Sequence, residues 1–263
     1  MFGKLLKHEL KASYKIYLIL FIILGGFSLL TGLLGMIFNR SDNNTTLLLL
    51  LLIFLMIGFM AIALLVTNLM VCIRRFYRTV FGAEAYLTWT LPVNPHQVIL
   101  SKLTSSMIWY SLSLFGLIFA SLAIFLLASP NNLSYALHTL KAISSWSGFT
   151  LLLSHLISML ANFLYLYLVI CLGQLAQKHR LALSYAAFFG LWAAITILES
   201  LFLIKAESPF AYYHYFYPIL RLLDPSYHAP DELLLFVCIY DFIKIGLFYS
   251  GSYLITKNKL NLQ

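Results

Sequence analysis

Six long, nearly uncharged apolar stretches constrain this chain more than any other feature: Ile16–Phe38, Leu47–Ile73, Leu103–Ala128, Trp146–Ala176, Leu181–Ile204 and Leu233–Thr256. About 20 apolar residues in a helix cross the ~30 Å hydrocarbon core of a bilayer. Inside lipid every backbone N–H and C=O needs an internal partner, so only helices or a closed barrel can span. Barrel strands alternate in polarity over about ten residues, and Leu47–Met56 does not alternate. Composition removes the soluble alternative. Only 10% of the residues are charged and 62% are hydrophobic, with mean hydropathy +0.90, against roughly 25% charged in a soluble domain. The aromatic content excludes disorder, and three cysteines in 263 residues exclude a disulfide scaffold. The expected fold is an all-α integral membrane protein: one transmembrane domain over residues 1–263 with six transmembrane helices. The fourth is long enough to tilt, kink or project.

Lysine and arginine placement predicts the orientation. With the N-terminus inside, cytoplasmic segments hold Lys4, Lys7, Lys11, Lys15, Arg74, Arg75, Arg78, Lys102, Lys178, Arg180, Lys257 and Lys259. The outside keeps only Arg40, Lys141, Lys205 and Arg221. Both termini are therefore expected in the cytoplasm. Most loop carboxylates run the other way, with Asp42, Glu207, Asp224, Asp231 and Glu232 outside against Glu9 and Glu84 inside. Topology thus accounts for the net charge of +8. Nucleic-acid binding would need a concentrated basic patch with reading or stacking groups, and these cations are spread over several loops. Ile16–Phe38 is too long for the apolar core of a secretory signal and reads as an uncleaved first span. Cys72, Cys171 and Cys238 lie within spans without C-x-x-C spacing and read as packing residues.

The connections carry their own signals. In Met1–Lys15, Lys4, Lys7, Lys11 and Lys15 share a face with His8, opposite Phe2, Leu5, Leu6 and Leu10. This predicts an amphipathic interfacial helix over 1–15 that lies in the headgroup layer and then turns into the first span. A plain basic flank that only sets orientation is the simpler alternative. The loop 74–102 is the one large inside connection. Tyr77, Phe81, Tyr86 and Trp89 are too apolar for a free loop, while Pro92 and Pro95 prevent a continuous helix. A short helix resting on the membrane or docked on a cytoplasmic partner satisfies both facts, and physics alone leaves the two open. Outside, residues 205–232 combine an aromatic run (Tyr212, Tyr213, Tyr215, Phe216, Tyr217) with four prolines, which predicts short helices at the outer headgroup level or a plain aromatic belt. N-x-S/T patterns at Asn43, Asn44 and Asn132 fall in expected outside loops.

Ionisable groups within spans should face protein or water. Asp241 and Lys244 stand three apart on the last helix, in reach of a local ion pair, though a substrate path or a subunit contact would also place them there. Glu199 is expected to reach the outer interface. His155, Asn68, Asn162 and Gln174 read as interhelical hydrogen-bond partners. No His, Cys and carboxylate spacing suits a metal, and no G-x-S-x-G or H-E-x-x-H motif is present. No G-x-x-x-x-G-K-[ST] phosphate loop occurs either. The expectation is a protein without catalysis of its own: if ATP powers it, another chain binds the nucleotide.

Two sets of residues resemble a known family. They are Phe2-Gly3-Lys4-Leu5-Leu6-Lys7-His8-Glu9-Leu10-Lys11-Ala12, and the loop residues Arg75-Phe76-Tyr77-Arg78, Gly82, Glu84, Tyr86-Leu87, Thr90-Leu91-Pro92-Val93, His96-Gln97 and Ser101-Lys102. Together with the layout, they make the chain similar to the membrane (permease) subunits of bacterial ABC transporters of the ABC-2, or type V exporter, class, in particular the small permeases of Firmicutes. The resemblance implies a coupling helix between spans two and three that docks on a separate ABC ATPase subunit. Arg75, Arg78, Gly82, Glu84, Tyr86, Leu87 and Pro92 would form that contact. It also implies a second permease subunit, identical or paralogous, and an extracellular helical segment between spans five and six. No cofactor would be bound by this chain, since ATP and Mg would sit in the partner ATPase. The location would be the bacterial plasma membrane, with the lipid bilayer as partner and no nucleic acid. Cargo would be an amphipathic peptide or lipid-like molecule. The alternative is a membrane immunity or sensor protein that binds an antimicrobial peptide without transporting it.

Overall fold

The structure is a computed structural model that describes residues 2–38, 43–82, 84–90, 93–128, 141, 146–176, 178–205 and 231–260. All its regular elements are helices: α1 (Phe2–Phe38), α2 (Asn43–Val80), α3 (Ala85–Thr90), α4 (Pro95–Ala128), α5 (Trp146–Gly173), α6 (Arg180–Lys205) and α7 (Asp231–Leu260). Five of them, α1, α2, α4, α5 and α6, contain stretches long and apolar enough to cross a membrane. That is the signature of a helical membrane protein. The sixth expected span, Leu233–Thr256, falls in α7, which is 30 residues long. The expected extracellular segment lies outside the described residues over 206–230, as do Asn132 and Pro92.

The helices are longer than the apolar runs that announce them. Residues 1–15 do not form a separate interfacial helix with a turn into the first span, because α1 continues unbroken from Phe2 to Phe38. No proline or glycine stands between Gly3 and Gly25 to break it. Its buried face also begins early: Glu9, Ser13, Tyr17, Leu24, Ser28 and Thr31 recur at helical spacing and are all buried. Likewise α2 runs through Arg74 to Val80 and α4 starts at Pro95, so most of the expected loop 74–102 is helical. Pro95 suits the first turn of α4, where the missing N–H would have no partner in any case.

The chain forms two compact units. The first comprises 1–74 with 100–145, the second 75–99 with 146–263. In the first unit Tyr17 of α1 stacks on Trp109 of α4, ring centroids 4.3 Å apart and nearly parallel. Near the far end of α1 the two helices approach closely, and a Cβ at Gly32 would meet the Leu127 side chain at 2.8 Å. A neutral polar node joins three helices: the Tyr17 hydroxyl donates to Asn68 Oδ1 (2.9 Å), and Asn68 Nδ2 donates to Ser113 Oγ (3.2 Å) and to the Leu64 carbonyl (2.8 Å). Other hydroxyls bond carbonyls of their own helix, as Thr31 does to Phe27 and Thr67 to Ala63 (2.8 Å each), so they bring no unpaired donor into lipid.

In the second unit α5 is central and packs against both α6 and α7. Half of its apolar window is buried, against none of α6's. Phe163, Leu164, Tyr167 and Cys171 supply its core face. Cys171 Sγ lies 3.7 Å from Thr256 Oγ1 of α7, and Cys72, Cys171 and Cys238 form no disulfide.

Candidate functional site

Among the described residues between α2 and α4, the end of α2 and α3 form a tight, internally bonded hairpin. The last turn of α2 closes with the amides of Phe81 and Gly82 both donating to the Tyr77 carbonyl (2.9 Å each). Glu84 N–H then donates to the Arg78 carbonyl (3.2 Å), which turns the chain back. A Cβ at Gly82 would stand 2.9 Å from both Cα and O of Arg78, so only glycine fits this reversal. Helix α3 follows. Trp89 Nε1 donates to the Val80 carbonyl (3.1 Å) and fastens α3 to the end of α2.

Two aromatic anchors hold the hairpin from behind. On its α2 side Phe76 is fully buried and stacks on Tyr167 of α5 at 3.9 Å. On its α4 side His96 stacks on Tyr253 of α7 at 3.8 Å, and its Nδ1 lies 2.6 Å from the Tyr249 hydroxyl. The outward side is different in character. Tyr86 is 77% exposed, the highest value among the large hydrophobic side chains described. Arg78 Nε and Glu84 Oε1 pair at 2.9 Å with both side chains about half exposed. Arg75 is part-buried near the end of α2, and Leu87 lies in α3 with its side chain outside what the structure describes. The expected group is thus divided. Arg78, Gly82 and Glu84 meet at the reversal, and Tyr86 projects beyond it.

The polar residues expected within the spans separate as well. Asp241 and Lys244 do pair, Nζ to Oδ1 at 2.9 Å, and Asp241 is fully buried. Glu199 does not simply reach an interface. It is buried, its Oε1 lies 3.7 Å from Lys244 Nζ, and it accepts a hydrogen bond from the Tyr240 hydroxyl (3.1 Å). Lys244 Nζ also sits 4.3 Å from the centre of the Tyr240 ring. One ammonium therefore serves two carboxylates and one aromatic face. His155 is part-buried in α5, Gln174 is buried, and Asn162 is exposed, unlike the interhelical role expected for it.

Lys4, Lys7, Lys11 and Lys15 are all exposed on α1. The acidic residue of the same segment, Glu9, points inward and meets Lys102 of α4, Nζ to Oε1 at 2.7 Å, with both side chains under a tenth exposed. Nothing in the sequence pairs these two, although Glu9 stands out as the single carboxylate of a lysine-rich stretch. Among the described residues no three His, Cys, Asp or Glu side chains are grouped to hold a metal ion.

No protein family, curated protein or solved structure matches the chain. The geometry therefore defines the class alone: a helical membrane protein whose main built features are an anchored hairpin with an exposed aromatic tip and a buried ion-paired cluster.

Proposed function

We propose that the chain is the permease subunit of an ABC exporter of the ABC-2 class, without ATPase chemistry of its own. In this reading six helices span the bacterial plasma membrane, α7 supplying the sixth, and both termini lie in the cytoplasm. The hairpin from Arg75 to His96 is the coupling element that a separate ATPase subunit moves, and a second permease subunit completes the path. The observation that carries the reading is the contrast within the hairpin. Its back is fixed by Phe76 on α5 and His96 on α7, while Tyr86 is left facing out with the Arg78–Glu84 pair beside it. A force applied at Tyr86 would pass into α5 and α7 rather than deform the loop. An exposed tyrosine two residues from an ion-paired carboxylate also suits a small docking site, since a few aromatic side chains carry most of the energy of such contacts. The cargo best suited to Phe- and Leu-rich helices is an amphipathic peptide or lipid-like molecule.

The test is whether an adjacent reading frame encodes a phosphate-loop ATPase and whether that ATPase co-purifies with the chain. Glu84→Arg combined with Tyr86→Ala should abolish the complex while leaving the extracted permease monodisperse. An unchanged complex, or labelling of the hairpin by an impermeant reagent from outside the cell, would refute the assignment.

A further inference from the structure

An open apolar groove of about 400 Å³ runs along the first unit, lined by Tyr14, Leu18, Phe21 and Ile22 of α1 and by Trp109 of α4. Leu18 and Ile22 are 49% and 64% exposed there. The wall contributed by Trp109 is stiff. Its ring stacks on Tyr17, whose hydroxyl is tied to Asn68, and its Nε1 is buried, so the groove meets indole carbon. Among the described residues no carboxylate lines it.

The same helix face continues past the groove as a row of cations. Lys4, Lys7 and Lys11 precede Tyr14, Leu18 and Ile22 at three- and four-residue steps, and all six are exposed. Along one face, α1 therefore changes from ammonium to phenol to hydrocarbon. At 1.5 Å per residue, Lys11 lies about 10 Å along the axis from Leu18. That sequence of chemistries, at that spacing, is complementary to a phospholipid whose phosphate lies above its acyl chain. The carboxylate that could neutralise the row, Glu9, is turned to the opposite face and bound to Lys102. The unbroken path of α1 is what aligns the lysines with the groove; a flat interfacial helix would have pointed them elsewhere.

We propose that this groove holds one acyl chain of an anionic phospholipid, with the phosphate bound by Lys7 and Lys11. Clustered lysines at the membrane surface select anionic over zwitterionic headgroups, and the apolar floor fixes the chain beneath them. The site depends on the chain lying in a bilayer and not on the transport reading above.

Trp109 is itself the probe. The full-length chain, reconstituted in phosphatidylcholine nanodiscs, is titrated with phosphatidylglycerol or phosphatidylcholine carrying brominated acyl chains, which quench indole on contact. The chain has four tryptophans, so the Trp109 component is the difference between the parent and Trp109→Phe. Brominated phosphatidylglycerol should half-quench this component at an about threefold lower mole fraction than brominated phosphatidylcholine. Lys7→Gln with Lys11→Gln should erase that difference and leave quenching by phosphatidylcholine unchanged. Equal mole fractions for the two lipids would overturn the proposal, since the groove would then be ordinary lipid shell. So would a preference that survives in the lysine variant. Should a variant fail to fold, the unmodified chain still decides. NaCl at about 1 M, where the Debye length is ~3 Å, should abolish the preference in total fluorescence, and a salt-resistant preference would place the headgroup contact outside this lysine row.

Discussion

Lys102–Glu9 and Arg78–Glu84 are ion pairs of almost equal length, 2.7 and 2.9 Å, set in opposite surroundings. The first pair is 4% and 8% exposed, the second 56% and 41%. Distance does not distinguish them. Burial does, because a charge withdrawn from water depends on its partner, whereas an exposed one can return to solvent. The Lys102–Glu9 pair therefore fixes α1 against α4, and Arg78–Glu84 only trims a turn that backbone hydrogen bonds already define. The Lys244 cluster belongs with the buried pair, and the Tyr17–Asn68–Ser113 node is its uncharged counterpart.

Substitutions can break or sharpen this contrast, and their effects on the thermal melt of the purified chain should fall in a definite order. Lys244→Met should be the most damaging, about 3–5 kcal/mol, because it leaves the Glu199 and Asp241 carboxylates without their shared cation. Adding Asp241→Asn to Lys244→Met should restore part of the loss. A double variant at least as unstable as the single one would argue against electrostatic pairing. Lys102→Met should cost nearly as much, also about 3–5 kcal/mol, and Glu9→Leu in the same chain should recover most of it. Strict additivity in that cycle would mean that the two side chains stabilise independently.

Smaller effects test the neutral and exposed ends of the scale. Asn68→Leu removes hydrogen bonds to Tyr17 and Ser113 and should cost about 1–2 kcal/mol. A loss matching that of Lys102→Met would erase the distinction between charged and uncharged buried groups. Glu84→Gln should change stability by less than ~1 kcal/mol, and raising salt should shrink even that. A salt-independent loss above this would show that the hairpin pair is shielded from water.

Much of the helical plan was legible, but the helix ends were not. The apolar runs located five helices able to cross a membrane, since run length is a local property. The lysines of residues 1–15 share one face by helical spacing alone, and all four are exposed on α1. Whether that segment lies flat or continues into the span is not a local question. It depends on α4 offering Lys102 to Glu9 and Trp109 to Tyr17. In the hairpin, the loop aromatics with Pro92 and Pro95 predict a short helix between α2 and α4. They did not announce that Phe76 and His96 would anchor it, because Tyr167, Tyr249 and Tyr253 are distant in sequence. For the charged cluster, spacing three residues apart was enough to pair Asp241 with Lys244. Glu199 joined only through the packing of α6 and α7.

Sequence by itself determined that the chain is helical and suited to lipid, because backbone satisfaction and apolar run length need no knowledge of neighbours. It also set the i to i+3 pairing on α7. Tertiary structure alone decided which charges are buried and with whom: Glu9 meets Lys102 across 93 residues, and Tyr17 meets Asn68 across 51. The reason is physical. A helix dictates which of its residues share a face, but only a packed neighbour removes that face from water and turns a nearby charge into a necessary partner.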